Sequence, residues 1–250
     1  RDGPSLGGFV CPVTIARAEL WKVGQVKPGD RIRFKRIDYA QAVALERAQD
    51  ASIEGLTRVR LDVPAAGGEA ATIVASLPAA PGRPAVAYRQ AGDGYLLLEY
   101  GENVLDLALR LRVHLLMQAL QADPIPGVEE LSPGVRSLQI RYEGRRIAQP
   151  ELVARLLEIE QSLPDASQVK VPTRVVYLPM AFEDSATLGA VDRYRETVRA
   201  QAPWLPNNVD FIQRINGLSS REEVRRIVFE ASYLVMGLGD VYLGAPCAVP

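Results

Sequence analysis

Apolar residues return at two spacings along this chain, and the changes of spacing divide it. From residue 84 the alternation is strand-like. Residues 85–90 and 95–100 read as two strands, and Gly92-Asp93-Gly94 between them is a hairpin signal. Residues 103–121 then switch to helical spacing, and a Pro- and Gly-containing loop follows. Val135, Leu138, Ile140 and Tyr142 read as a further strand, and Pro150 opens a second helix ending near Leu163. The order ββαβα over 84–168 predicts an α+β sandwich, with helices covering one face of a mainly antiparallel sheet.

The flanks read differently. Residues 1–37 look like short strands and turns. Val10 to Ile15 is β-prone, and Lys27-Pro28-Gly29-Asp30 is a turn before the alternating Arg31-Ile32-Arg33-Phe34. Asp38 caps a helix, with Gln41 three residues on completing a capping box. Residues 38–83 are thus a helix followed by a linker, because residues 62–84 turn to Ala, Gly and Pro. The last unit, 169–250, opens with a strand over 174–178. A helix capped by Asp184 or Ser185 follows, and then a short helix over 208–216 closed by Gly217. Ser219 and Ser220, with Glu222 and Glu223, make overlapping capping boxes for a third helix, and a strand over 233–236 runs into a glycine-rich end.

Charge adds mainly exclusions. Twenty-nine basic residues face thirty acidic ones without any basic run, which gives no support for a nucleic-acid partner. Lysine occurs only at Lys22, Lys27, Lys35 and Lys170, so arginine supplies nearly all the positive charge. Cys11 and Cys247 lack metal-ligand spacing and read as free thiols of a reducing compartment. With His114 the single histidine, no metal site is expected. No uncharged run reaches the ~18 residues of a membrane span and the start is no signal peptide, so the chain reads as cytoplasmic. Its first residues lack an initiator Met and its last follow closely on a glycine-rich turn, so it also reads as a piece of something longer.

Candidate chemistry gathers at both ends. Gly237, Gly239 and Gly244 allow positive φ and close approach of a ligand to the backbone, with Asp240 and Tyr242 as polar groups among them. A tight turn that needs glycine only for its shape accounts for the same residues. The segment lacks the GK[ST] of a phosphate loop. Near the start, Ser5, Gly7 and Gly8 form a similar glycine-dense turn, with a connecting turn as the plainer account. His114 reads as a surface or interface residue of the long helix. Glu183-Asp184 reads first as helix capping and second as a general base, and Tyr100-Gly101-Glu102-Asn103 as a strand-to-helix turn with an N-cap.

Four stretches together resemble the carboxyltransferase region of biotin-dependent urea carboxylases. They are Asp2-Gly3-Pro4-Ser5-Leu6-Gly7-Gly8-Phe9-Val10-Cys11-Pro12, Glu19-Leu20-Trp21-Lys22-Val23-Gly24-Gln25-Val26-Lys27-Pro28-Gly29-Asp30, Phe211-Ile212-Gln213-Arg214-Ile215-Asn216-Gly217-Leu218, and Ala231 through Met236 into Gly237-Leu238-Gly239-Asp240-Val241-Tyr242-Leu243-Gly244-Ala245-Pro246. The first two resemble the end of an allophanate hydrolase subunit 2-like module, and the chain after about Pro84 is similar to the start of a subunit 1-like module. Both modules are related to bacterial 5-oxoprolinase subunits. There the last turn usually carries Pro-Gly-Phe, where this chain has Gly239-Asp240-Val241.

The resemblance implies that residues 1–37 are the tail of one cyclophilin-like β-barrel and 169–250 the first part of another, flanking the 84–168 domain. It implies transfer of CO2 from carboxybiotin to urea to form allophanate. Biotin would arrive on a carrier domain outside this chain, and a biotin carboxylase domain would use ATP and Mg. Asp240, Tyr242 and Asn216 are the candidate catalytic residues. Ser5, Gly7, Gly8, Gly237, Gly239 and Gly244 are candidates for holding substrate or biotin. A carboxylase for guanidine or another small amide or amidine, a 5-oxoprolinase-like subunit, and a non-catalytic kinase-inhibitor-like binding module are the alternatives.

Overall fold

The structure is a computed structural model that describes residues 13–58, 63–66, 71–238 and 246–249. In chain order a 3-10 turn, Arg17–Glu19, leads into α1 (Leu20–Val23), and α2 spans Tyr39–Glu54. The strands β1 (Ile73–Leu77), β2 (Val86–Gln90) and β3 (Tyr95–Tyr100) come next. They are followed by α3 (Leu107–Ala122), β4 (Val128–Pro133), β5 (Ser137–Tyr142) and α4 (Gln149–Ser162). Three helices, α5 (Ser185–Thr197), α6 (Asn208–Asn216) and α7 (Arg221–Glu230), precede β6 (Leu234–Leu238) and β7 (Pro246–Val249). The chain divides into two units, residues 1–170 with 235–247, and residues 171–234 with 248–250.

Five strands of the first unit form an antiparallel sheet in the order β1-β2-β3-β5-β4. The register follows from alternation. Tyr88 pairs with Leu98, and Leu98 with Leu138 on the other side, so apolar residues line up across the strands on one face. Val86, Leu96, Tyr100, Ile140 and Tyr142 join them in the buried core. Leu109, Val113, Leu116 and Leu120, at helical spacing, lay α3 on that face, and Leu152, Val153 and Leu156 do the same for α4. The opposite face keeps its charges, where Glu99 pairs with both Arg89 and Arg136. The α+β reading holds.

Two of these strands were not foreseen. β1 lies inside the stretch read as a linker, where it pairs with β2 as an edge strand, and an edge needs only one satisfied side. β4 lies in the stretch read as a loop, and its pairing with β5 shifts register between Val128 and Glu130. The helix expected from residue 103 starts later, because Asp106 is the residue whose carboxylate accepts from the Ala108 and Leu109 amides.

Two expected strands are not formed. Residues 31–34 and 174–178 form no strand with any described residue, and Phe34 is 77% and Tyr177 91% exposed. A β-prone run shows a tendency to extend, and a strand also needs a neighbour, which neither segment has among the described residues. In place of the expected short strands, residues 17–23 turn helical.

The two most deeply buried charged residues among the described ones form an ion pair. Arg112 and Glu160 are 1% and 0% exposed and meet at 2.6 Å. Nε and Nη2 of Arg112 both donate to Glu160 Oε1, Nη2 also donates to the Glu160 carbonyl, and Nη1 donates to the Pro164 carbonyl. The Tyr100 hydroxyl donates to Glu160 Oε2 at 2.7 Å, and burial beside that carboxylate raises the phenol's pKa. α3, α4 and β3 therefore meet at one satisfied charge cluster.

At the end of the β2–β3 hairpin, the Arg17 amide donates to Asp93 at 2.8 Å and its guanidinium to Glu143 at 3.0 Å. Gly92 has φ +85, and a Cβ there would lie 2.6 Å from Thr14 Oγ1, so both conformation and space demand glycine. The second unit is helical. Phe182 and Phe229 rings sit 5.6 Å apart, and Glu183 accepts from Asn207 and from Arg221.

Replacing Arg112 or Glu160 singly by leucine strands the other charge in the core. Each variant should lose about 3–5 kcal/mol of unfolding free energy, read by urea denaturation. The Arg112→Met/Glu160→Leu double variant should lose less than either. Singles that cost under about 1 kcal/mol would show that the pair does not organise this core.

Candidate functional site

The sequence reading put its strongest candidates in the glycine-rich segment after β6. Gly239, Asp240, Tyr242 and Gly244 lie outside the described residues, as do Ser5, Gly7 and Gly8. Gly237 and Asn216 are described. Gly237 is an extended residue of β6, so its glycine is not required by a positive φ, as the sequence reading had allowed. A Cβ there would meet Val135 Cγ2 at 3.4 Å, an ordinary contact. Asn216 is the exposed last residue of α6. Its carboxamide donates to the Ile212 carbonyl, and Gly217 closes the helix in the left-handed region with φ 64.

What holds the approach to the glycine-rich segment is a residue that sequence reasoning passed over. Asp106 caps α3 and sets where it begins, and the core stripe from Leu109 to Leu120 sets its rotation. Arg110 is thereby directed at β6, where its Nε donates to the Met236 carbonyl at 2.7 Å. Met236 is 3% exposed. One turn on is His114. Arg110 Nη1 and His114 Nε2 are buried and have no hydrogen-bond partner.

The electrostatics are those of an incompletely solvated pair. Burial lowers the pKa of Arg110. Burial first, and the Arg110 charge second, lower that of His114. The imidazole therefore stays neutral near neutral pH. The only sequence signal for this arrangement was an arginine and a histidine four residues apart on a helix that is otherwise leucine-rich, which resembles many surface pairs.

The remaining titratable candidates take structural parts. Asp184 caps α5 through the Ala186 and Thr187 amides, as expected. Glu183 is held ionised by Arg221 and Asn207, which lower its pKa, and a carboxylate so held is a poor proton acceptor. Among the described residues no group of three or more His, Cys, Asp or Glu is placed to hold a metal ion. No described helix is long and apolar enough to cross a membrane.

Comparison with known proteins bears on most of the chain. The family model described as carboxyltransferase domain, subdomain C and D, matches residues 86–250, and that for subdomain A and B matches residues 1–36. Over 254 residues the chain is 46% identical to a urea amidolyase of Lachancea kluyveri and 44% identical to a urea amidolyase of Saccharomyces cerevisiae. Each alignment covers 100% of this chain and 14% of the relative, so the chain spans about one seventh of their length. The solved structure of Kluyveromyces lactis urea carboxylase matches with a TM-score of 0.75 at 44% identity, over 97% of this chain and 22% of that one.

Arg110 and His114 lie within the part matched by the subdomain C and D model, and their electrostatics fix a pH response. A histidine held below its ordinary 6.5 leaves the unfolded chain binding the proton first as pH falls. Its contribution to stability is therefore whole above about 6.5 and is lost as pH drops from there toward the folded value. The urea midpoint should fall between pH 7 and pH 5.5, and His114→Leu should flatten that part of the slope. An unchanged slope in the variant would show that the imidazole titrates alike in both states.

Proposed function

Because the chain belongs to the carboxyltransferase domain family, we propose that it is part of the carboxyltransferase of a urea carboxylase, moving a carboxyl group from carboxybiotin to a urea nitrogen to form allophanate. The observation that carries this reading is the continuous 44–46% identity to urea amidolyases over the whole chain, glycine-rich segment included. An ATP- and Mg-using biotin carboxylase domain and a biotin carrier domain are its partners, elsewhere in the full protein. The reaction takes place in the cytoplasm, where those domains work. Residues 1–37 and 169–250 belong to cyclophilin-like barrels on this reading. The β-prone runs at 31–34 and 174–178, which form no strand among the described residues, support it.

The donor set suits the chemistry. Glycine main-chain amides accept close approach of a flat ureido ring and donate to carboxylate oxygens, and a carboxylate beside them serves a weakly basic nitrogen. Carboxybiotin, when delivered, supplies the activated carboxyl group. In this proposal the carboxyl carbon would exchange its bond to the biotin nitrogen for one to the urea nitrogen, and Asp240 would take the proton that the urea nitrogen sheds and pass it on to the biotin nitrogen that leaves. Tyr242 and Asn216 orient the acceptor by hydrogen bonds. Ser5, Gly7, Gly8, Gly237, Gly239 and Gly244 hold the substrate or the biotin.

Asp240→Asn in the full-length enzyme keeps size and hydrogen bonding but removes the proton acceptor. Urea carboxylation should fall roughly 10²-fold or more. ATP cleavage supported by free biotin, which belongs to another domain, should be unchanged, and so should the melting temperature. A well-folded variant that makes allophanate at a near-normal rate would remove Asp240 from the chemistry. Carboxylation of guanidine in place of urea by the wild-type enzyme would reassign the acceptor.

A further inference from the structure

The two family models match residues 1–36 and 86–250 and leave residues 37–85 between them. That stretch holds α2 and β1, and each is fastened to the sheet of the second match. β1 pairs with β2, and its Ala75 and Leu77 pack against the core. α2 is fastened by charge. Its Glu46 and Asp50, one turn apart, both face Arg145 in the turn between β5 and α4. Arg145 Nη1 lies 3.0 Å from Glu46, and its Nε and Nη2 donate to Asp50 at 2.6 and 2.8 Å. The Tyr142 hydroxyl at the end of β5 donates to that of Tyr39 in the first turn of α2 at 3.3 Å.

The residues before α2 reach the same end of the sheet. Arg17 belongs to the first match, and its amide and guanidinium donate to Asp93 and Glu143 of the second, at 2.8 and 3.0 Å. The charges are crossed. Residues 14–54 bring one arginine, Arg17, and two acids, Glu46 and Asp50. The sheet end brings one arginine, Arg145, and two acids, Asp93 and Glu143. Arg17 meets the two acids of the sheet, and Arg145 meets the two acids of α2. Either side alone is left with an excess of negative charge, which the arginine of the other side answers. Glu46 and Asp93 are buried, so a misplaced partner would leave an acid desolvated and unpaired. Apolar packing does little of this holding on the side of α2, where only Ala42 and Glu46 of sixteen residues are buried. A polar contact of this composition is typical of a joint between domains.

We propose that the crossed acid–arginine cluster is a docking clamp: the sheet end carrying Asp93, Glu143 and Arg145 is a receptor for residues 14–54, and it holds them without the covalent connection through residues 55–70. The partner that this surface fits is a helix with two carboxylates one turn apart, preceded by an arginine. The clamp ties the region of the subdomain A and B match to the sheet of the subdomain C and D match through charge complementarity, whichever substrate the enzyme carboxylates.

The test keeps every residue of the full-length enzyme but produces it as two co-expressed chains divided between Gly67 and Gly68, with an affinity tag on the first. The second chain should be recovered with the first in equal amount. Arg17→Met and Arg145→Met together should weaken the association about 30-fold or more, because acids on both sides then stand unanswered. Either substitution alone should cost less. Charge exchange separates a clamp from general loss of packing. Arg145→Asp should weaken the association, and Asp50→Arg added to it should recover part of the loss. ATP cleavage with free biotin by the undivided variants should match wild type. Wild-type chains that separate, or an association that the double variant leaves unchanged, overturn the proposal, the latter because contacts elsewhere then carry the joint. An exchange that recovers nothing also overturns it. So do undivided Arg145→Met and exchange variants that both fail to fold, which would place the cluster in the folding of the sheet unit rather than in a joint.

Discussion

The sheet unit turns on the pairing of Arg112 with Glu160. Burying a guanidinium and a carboxylate costs several kcal/mol for each ion before their attraction returns any of it, so the pair is a poor source of net stability. Its value lies in what it excludes. α3 presents leucine or valine at most of its turns, and such a helix can sit on an apolar sheet face at more than one rotation. A charge that finds its partners in only one orientation removes that freedom. Arg112 reaches Glu160 on α4 and the Pro164 carbonyl beyond it, and Glu160 takes the Tyr100 hydroxyl from β3. Three elements are thus locked in phase, and any other rotation would leave an ion unpaired in the core.

Helix geometry carries that constraint further. Residues two apart on a helix point about 200° apart, so the rotation that buries Arg112 turns Arg110 to the opposite side. There it meets β6. The two arginines divide the work between them. One has all three guanidinium nitrogens engaged and holds the scaffold, and the other is left partly unsatisfied beside β6. Unsatisfied buried groups are retained where something other than stability is selected, and Arg110 Nη1 and His114 Nε2 are of that kind.

Legibility in the sequence tracks how local each determinant is. The Asp38–Gln41 capping box forms with both reciprocal hydrogen bonds, at 2.8 and 3.0 Å. Gly217 ends α6 and Ser220 caps α7, as read. These features involve residues three or four apart, and their chemistry is the same in any surroundings. β1 was hidden because an edge strand in an Ala- and Pro-containing stretch is made by its neighbour β2, which no local pattern encodes. The segments at 31–34 and 174–178 failed in the opposite sense, with the local pattern present and the neighbour not. The glycine-rich segment was singled out by glycine spacing and family resemblance, and its residues 239–245 lie outside the described residues. Arg110 was not found, because an arginine bound to a carbonyl 126 residues distant leaves no trace in its own neighbourhood.

A second polar cluster shows why the two arginines on α3 are the informative ones. Arg17, Glu46, Asp50, Asp93, Glu143 and Arg145 join α2 and the residues before α1 to the turns at one end of the sheet. There Arg145 grips Asp50 with two nitrogens, at 2.6 and 2.8 Å, and each acid faces a base. Burial raises the pKa of Glu46, but Arg145 and Arg17 oppose the shift, so its charge is answered locally. Partly buried pairs with several partners of this sort tolerate the loss of a member better than a single pair does. Arg110 has no such redundancy, since one bond to one carbonyl carries its whole contribution. An interaction without substitutes is a weak way to hold a fold together, so the bond from Arg110 fixes the Met236 carbonyl of β6 while adding little to stability.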